Sequence, residues 1–200
     1  MDQDTRELIA EAVASHSAMV AALTESGAET IAAAADAITA AIRRKGTVYL
    51  CGNGGSAADA QHIAGELVGR FRRQRKPMPA VALSTDTSVI TSIANDYSYE
   101  DVFARQVEAL VAKGDILWAF STSGASPSVV AAARLAKEKD AFVLAFTGRA
   151  HSTLEGVADI CLCAHSESTA RSQEIHQLAY HIICDLVEQS FCRQQDSEQS

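Results

Sequence analysis

The stretch Cys51-Gly52-Asn53-Gly54-Gly55-Ser56-Ala57-Ala58-Asp59-Ala60-Gln61-His62 decides how this chain is read. An apolar run, Thr47-Val48-Tyr49-Leu50-Cys51, stops where the glycines begin, and a helical pattern continues through Ile63, Leu67 and Val68. The order is strand, glycine turn, helix start. Glycines let the backbone take positive φ and let a ligand come close to the main chain. Free N–H groups at a helix start, together with the helix dipole, attract an anion. Ser56 stands where an N-cap is expected and adds a hydroxyl. The stretch therefore reads as a phosphate cradle. His62 and Glu66 lie four residues apart, so they share one face of the helix that leaves it.

Other readings of the loop are open. The spacing Gly52-x-Gly54-x-x-Ala57 fits the dinucleotide fingerprint, which also wants an acidic residue at the end of the next strand. Asp86 is the candidate for that role. No lysine precedes Ser56, so the loop is not an NTP-hydrolysing P-loop. A tight turn that serves packing alone is the plainest alternative.

Outward from this loop, strands and helices alternate. Upstream, residues from about Thr5 to Thr24 form an apolar stripe at helical spacing, and Gly27 is expected to break it. A second helix is expected from about Glu29 to Lys45, capped by Gly46. Downstream, Ala80–Leu83, Ile116–Phe120, Phe142–Phe146 and Ile160–Cys163 are continuous apolar runs, read as strands two to five. Helical segments lie between them, at about 88–94, 102–111 and 127–139. A last helix is expected from about Thr169 to Phe191, with a polar tail after Arg193. This pattern predicts an α/β fold, a three-layer αβα sandwich around a five-stranded parallel sheet of flavodoxin-like order 2-1-3-4-5. One domain spans 1–200: an N-terminal helical extension (1–45), the core with its C-terminal helix (46–193) and a tail (194–200). The first helix carries a bundle-like seam, which predicts that the N-terminal helices join an oligomer.

In that strand order the switch point lies between strands one and three, so the loops 52–56 and 121–126 face each other. Ser121, Thr122, Ser123 and Ser126 offer hydroxyls suited to phosphate oxygens. Pro127 fits the first turn of the following helix, and Ser126 fits its cap. On the last helix, Gln173, Gln177 and His181 step by four along one face. If that face meets His62 and Glu66, the residues could hold a divalent metal such as zinc, although spacing alone also allows ordinary hydrogen-bonded histidines.

Almost half of the 200 residues are apolar, enough for a full core, and no run reaches the length of a membrane span. The polar, acidic N-terminus has no signal-peptide pattern. A net charge of −8 argues against nucleic acid or an anionic membrane as partner. The basic run Arg70–Lys76 is expected to be a solvated or subunit-facing loop. The five cysteines lie in strand-like or helical runs, apart from Cys192, and read as core thiols in a reducing compartment, hence a cytoplasmic protein.

Taken together, CGNGGSAADAQHIAGELVGRF, the later AND, the STSG-x-S loop and TARSQEIHQLAYH resemble the phosphoheptose isomerases of the sugar isomerase (SIS) domain group. The resemblance runs from about Thr5 to Phe191. It implies a homotetramer that converts sedoheptulose 7-phosphate to D-glycero-D-manno-heptose 7-phosphate for bacterial surface glycans. It implies substrate contacts at Asn53, Gly54, Gly55, Ser56, Asn95, Asp96, Ser121, Thr122, Ser123, Ser126 and Gln173. It implies one zinc per subunit, held by His62, Glu66, Gln173 and His181. Isomerisation through an enediolate needs an acid–base pair, for which Glu66 and His181 are expected. A similar paralogue binds the replication initiator instead and lacks that glutamate and final histidine; this chain has both. A regulatory module that binds a sugar phosphate is the other non-catalytic alternative.

Overall fold

The computed structural model describes residues 1–198. In chain order the elements are α1 (Gln3–Ala22), α2 (Ala28–Arg43), β1 (Val48–Gly52), α3 (Gly55–Val68), β2 (Ala80–Ala82), α4 (Thr87–Asp96), α5 (Ala104–Leu110), β3 (Ile116–Ser121), α6 (Pro127–Glu138), β4 (Phe142–Thr147), β5 (Ile160–Cys163) and α7 (Thr169–Glu198). The five strands pair in the order β2-β1-β3-β4-β5, all parallel. The expected sheet order is therefore observed, with the switch point between β1 and β3.

The strands are apolar on both faces, and the period of two sorts the residues by size. Leu50, Trp118, Phe120, Leu144 and Phe146 face one side, where α2, α3 and α7 cover them. Cys51, Leu117, Ala119, Val143 and Ala145 face the other, under α4, α5 and α6. The aromatic side is interlocked: Trp118, Phe120 and Phe146 have ring centroids 5.1–5.5 Å apart. Each such buried side chain stabilises the fold by about 1.5–3 kcal/mol. The opposite side uses Ala132, Ala133 and Ala136 of α6, which bring that helix close to the sheet.

Several local expectations are corrected. Gly27 does not break the first helix, because five residues, Leu23–Gly27, form a π-turn and the chain runs on as helix into α2. One glycine costs a helix only about 1 kcal/mol, too little to stop it here. Within the N-terminal helical segment, α2 packs on the sheet of its own chain: Ile31, Ala34, Ala35 and Ile38 are buried in the core. At its end Lys45 takes the positive φ, and Gly46 N–H bonds back to Ala41 O. Only α1 stands off. It has no buried residue, and Leu8, Ile9 and Val13 are exposed. Polar contacts tie it to α7, through His16 to Glu174 at 2.8 Å and Arg171 to Ala12 O at 2.7 Å.

The basic run is not simply a solvated loop. Arg75 is buried, and its guanidinium donates to the carbonyls of Glu66 and Leu67 at 2.7 Å. Its Nε lies 3.4 Å from Glu188, and Arg72 and Arg73 pair with Asp185. Asp86 does not wait for a ribose: its carboxylate caps α4 by accepting from Val89 N–H at 3.0 Å. Cys51 and Cys184 are buried, while Cys161 and Cys163 on the edge strand are only half-buried. α7 continues to Glu198, and residues 199 and 200 of the expected tail lie outside the described residues.

Candidate functional site

The cradle is built as a turn at the end of β1. Gly54 holds φ 56° and ψ −122° and occupies the N-cap of α3, a conformation that side chains resist. The helix therefore starts at Gly55. Ser56 is inside its first turn and buried, and it is not the cap. At Gly55 the reason for glycine is space, because a Cβ there would collide with the side-chain amide of Gln173. On the opposite loop Ser126 does sit at the N-cap of α6, but its hydroxyl makes no capping bond. It accepts instead from Asn53 Nδ2 at 2.9 Å.

These loops enclose a cavity of about 330 Å³. It is lined by Asn53, Gly54, Gly55, Ser56, Phe120, Ser121, Thr122, Ser123, Ser126, Thr169 and Gln173. Nine of the expected substrate-contact positions thus come together. Its polar wall consists of hydroxyls and amides and holds no acidic side chain, which suits an anion. Ser121 and Ser123 hydroxyls are 3.2 Å apart, and Ser123 also accepts from Ala125 N–H at 3.2 Å. Asn53 is committed on both atoms of its amide: Nδ2 bonds Ser126 and Ser128, and Oδ1 accepts from Tyr99 at 2.9 Å. It spans the crevice as a strap. Asn95 and Asp96 do not line this cavity. They end α4, exposed, and bond each other at 2.7 Å.

A second cluster lies farther along the same helices. His62, Glu66 and His181 each bring a ligand atom to within 4.8 Å of the others. His62 Nε2 is 3.1 Å from Glu66 Oε1, and the His62 and His181 rings meet edge-on at 5.0 Å. α3 and α7 thus lie side by side, Gly55 level with Gln173 and His62 level with His181. The two levels are separated by two helical turns, about 11 Å. Burial, then the neighbouring His62, pushes the His181 ring below its ordinary pKa, with Glu66 opposing. A neutral imidazole is the form that can act as a metal ligand or take a proton. Two ring nitrogens and a carboxylate oxygen are a donor set that fits a divalent ion such as zinc. Gln173 lines the cavity, with its amide against Gly55.

Three residues that sequence reading did not single out support this cluster. Tyr180 is buried, its hydroxyl 3.0 Å from His62 Nδ1 and 3.4 Å from Asp59 Oδ1. Burial raises the Asp59 carboxyl to about pKa 6. Glu188 accepts three backbone N–H bonds, from Phe71, Arg72 and Arg73 at 2.7–2.9 Å. Burial pushes its carboxyl up, but those donors and Arg75 outweigh burial and hold it below the usual range. The loop anchored this way lays Phe71 flat on His181, with centroids 5.6 Å apart. For the two carboxylates the sequence holds a signal, though not the partner. Asp59 follows Ser56 by three on the stripe through Ala60, Ile63 and Leu67, and Glu188 follows Cys184 by four on the stripe of α7. A charge on a buried stripe marks a paired group.

A family model described as SIS domain matches residues 13–148. A phosphoheptose isomerase of Roseiflexus sp. (strain RS-1) is 52% identical over 166 residues, 83% of this chain and 84% of the relative. One of Burkholderia pseudomallei (strain 1710b) is 52% identical over 161 residues, 80% and 82% of the two chains. Among solved structures, a phosphoheptose isomerase from Neisseria gonorrhoeae superposes with a TM-score of 0.88 at 38% identity. That match covers 92% of this chain and 99% of the other.

Proposed function

The chain belongs to the SIS domain family and, within it, to the phosphoheptose isomerases; on that premise we propose that it interconverts sedoheptulose 7-phosphate and D-glycero-D-manno-heptose 7-phosphate, a step towards the heptose of bacterial surface glycans. It is an isomerase of sugar phosphates. The observation that carries the substrate reading is the pairing of two levels on α3 and α7. A cavity of small donors surrounds Ser121–Ser126, and the His62, Glu66 and His181 cluster stands two helical turns away. That separation is on the scale of an extended seven-carbon chain, with its phosphate at one end and its carbonyl at the other.

In this reading the hydroxyls of Ser121, Thr122, Ser123 and Ser126, with the loop Gly54–Ser56, take the phosphate, and Asn53 holds the two loops in register. Fixing the phosphate places carbons 1 and 2 at the cluster, so that binding energy is used for orientation. One Glu66 oxygen stands towards His62, and the other takes the proton from carbon 1. This leaves an enediolate, and neutral His181 takes the proton of the hydroxyl on carbon 1 and passes it to the oxygen on carbon 2. Glu66 then returns its proton to carbon 2. The aldose results and both side chains return to their starting forms. His62, Glu66 and His181 would hold one zinc per subunit, which when bound would polarise the sugar oxygens; Gln173, expected as the further donor, joins them only when its amide leaves Gly55. Asn95 and Asp96 are assigned to the sugar hydroxyls.

Among the described residues no helix is long and apolar enough to cross a membrane. The five free thiols support a reducing, cytoplasmic setting. The apolar residues exposed on α1 support assembly, which we assign as a homotetramer. The test is to incubate the purified protein with sedoheptulose 7-phosphate and follow the aldoheptose product by NMR, with chelator and with added zinc. Zinc-dependent conversion is expected. Conversion that ignores the chelator would remove the metal from the chemistry, and bound substrate without product under any metal would overturn the isomerase reading.

A further inference from the structure

Tyr180 stands between two groups that its own packing does not require. Its ring is buried among core side chains, yet its hydroxyl lies 3.0 Å from His62 Nδ1 and 3.4 Å from Asp59 Oδ1. Asp59 is a carboxylate on the inner side of α3. Its second oxygen, Oδ2, is buried and has no hydrogen-bond partner among the described residues. Placing a carboxylate there carries a desolvation cost that a neutral residue would avoid. What the pair does secure is a direction. An ionised carboxylate only accepts, so the Tyr180 hydroxyl donates to Asp59 and its oxygen is left to accept from His62. His62 then carries its proton on Nδ1, and its Nε2 lone pair faces Glu66 and His181.

We propose that Asp59 and Tyr180 are positioning residues that fix His62 in the Nδ1–H tautomer through the one-way chain His62 Nδ1–H to Tyr180 Oη–H to Asp59 Oδ1. This rests on the reading of His62, Glu66 and His181 as a cation centre, and it adds the outer layer that makes His62 a donor to it. Without that layer the ring can present N–H to the cluster, and a protonated nitrogen cannot bind a metal. Outer partners of this kind orient the ligand ring and raise its basicity. The contact is also geometric: Tyr180 meets the His62 ring edge-on at 5.6 Å and the His181 ring at 4.7 Å, so one side chain sets the pose of both.

The test uses the full-length protein with ring-15N-labelled histidine, its tautomers read by NMR, and zinc affinity measured by competition with a chromophoric chelator. Tyr180→Phe keeps the buried ring and removes only the hydroxyl. It is expected to give a mixed His62 tautomer and to weaken zinc binding by about 10- to 100-fold. Asp59→Asn places a donor where only an acceptor stood, so the chain can reverse and His62 is expected to shift towards Nε2–H, with a comparable loss of affinity. His62 in the Nε2–H form in the unsubstituted protein, or unchanged tautomer and affinity in both folded variants, would overturn the proposal. An unsubstituted protein that shows the Nδ1–H tautomer and its loss in Tyr180→Phe, but binds no zinc, would uphold the positioning chain and sink the metal reading instead.

Discussion

Gly55 and Gln173 sit so close that a single added methyl group on the glycine would strike the glutamine amide. This contact lies where α3 and α7 pass each other. It joins the cradle after β1 to the last helix of the chain, 118 positions later in sequence. The same register two turns on brings His62 to His181.

Gly55→Ala is therefore expected to damage the site more than the fold. Alanine is the better helix residue by about 1 kcal/mol, which offsets part of the overpacking, itself on the order of 1–3 kcal/mol. Turnover has no such compensation, because a displaced Gln173 amide intrudes on the cavity. A fall in kcat/KM on the order of 100-fold with a melting temperature within several degrees of the parent is expected. Near-parental kcat/KM would show that the Gln173 amide has no part in the site.

Glu66→Gln keeps the size of the side chain and removes the base. A loss in kcat of about 100- to 10,000-fold is expected, with substrate affinity by calorimetry changed only a few-fold because the phosphate end is untouched. Rapid turnover in this variant would exclude Glu66 from proton transfer.

Ser123→Ala acts at the other level. Its hydroxyl lies 3.2 Å from Ser121 Oγ on the cavity wall. A lost hydrogen bond to a charged phosphate is worth about 1.5–3 kcal/mol, so KM should rise by at least about 10-fold while kcat stays close to the parent. An unchanged KM would place the phosphate elsewhere.

The sheet was legible in the sequence because buried parallel strands are continuous apolar runs and glycine-rich loops separate them from helices. The order of strands then aligned the loops at 52–56 and 121–126, and the cavity lies between them. What sequence did not show was how elements meet. Helical spacing puts Gln173 and His181 on one face, but it does not say that Gln173 meets Gly55 while His181 meets His62. Gly27 looked like a stop, and a π-turn absorbed it. Ser56 looked like a cap, but Gly54 takes the cap with a backbone angle that composition does not reveal. Asp59, Tyr180 and Glu188 were hidden for a related reason. Each reads as an ordinary member of a helical stripe until its hydrogen-bond partner, 115 to 121 positions away at the nearest, is brought beside it.

His176 gives the fold an acid limit. It is fully buried against Phe120 and Phe146, and its Nε2–H donates to Thr147 O at 3.0 Å. Nδ1 has no partner among the described residues, so a second proton there would be a buried, unanswered donor. Burial accordingly pushes this imidazole down to about pKa 4, against an ordinary 6.5, with the Thr147 bond opposing. The sign follows from where protons go. Between these values the unfolded chain binds a proton that the folded one refuses, so stability is complete above pH about 6.5 and is lost as pH falls towards 4. The loss over that window is roughly 3 kcal/mol. Asp59, raised by burial to about 6, titrates in the opposite sense over part of this range, so the comparison must be between proteins that both keep it. His176→Gln retains a donor for Thr147 O and cannot take up a proton. Urea unfolding from pH about 7 to about 4 should show a flatter stability profile for His176→Gln than for the parent. Equal slopes would mean that other groups set the acid limit.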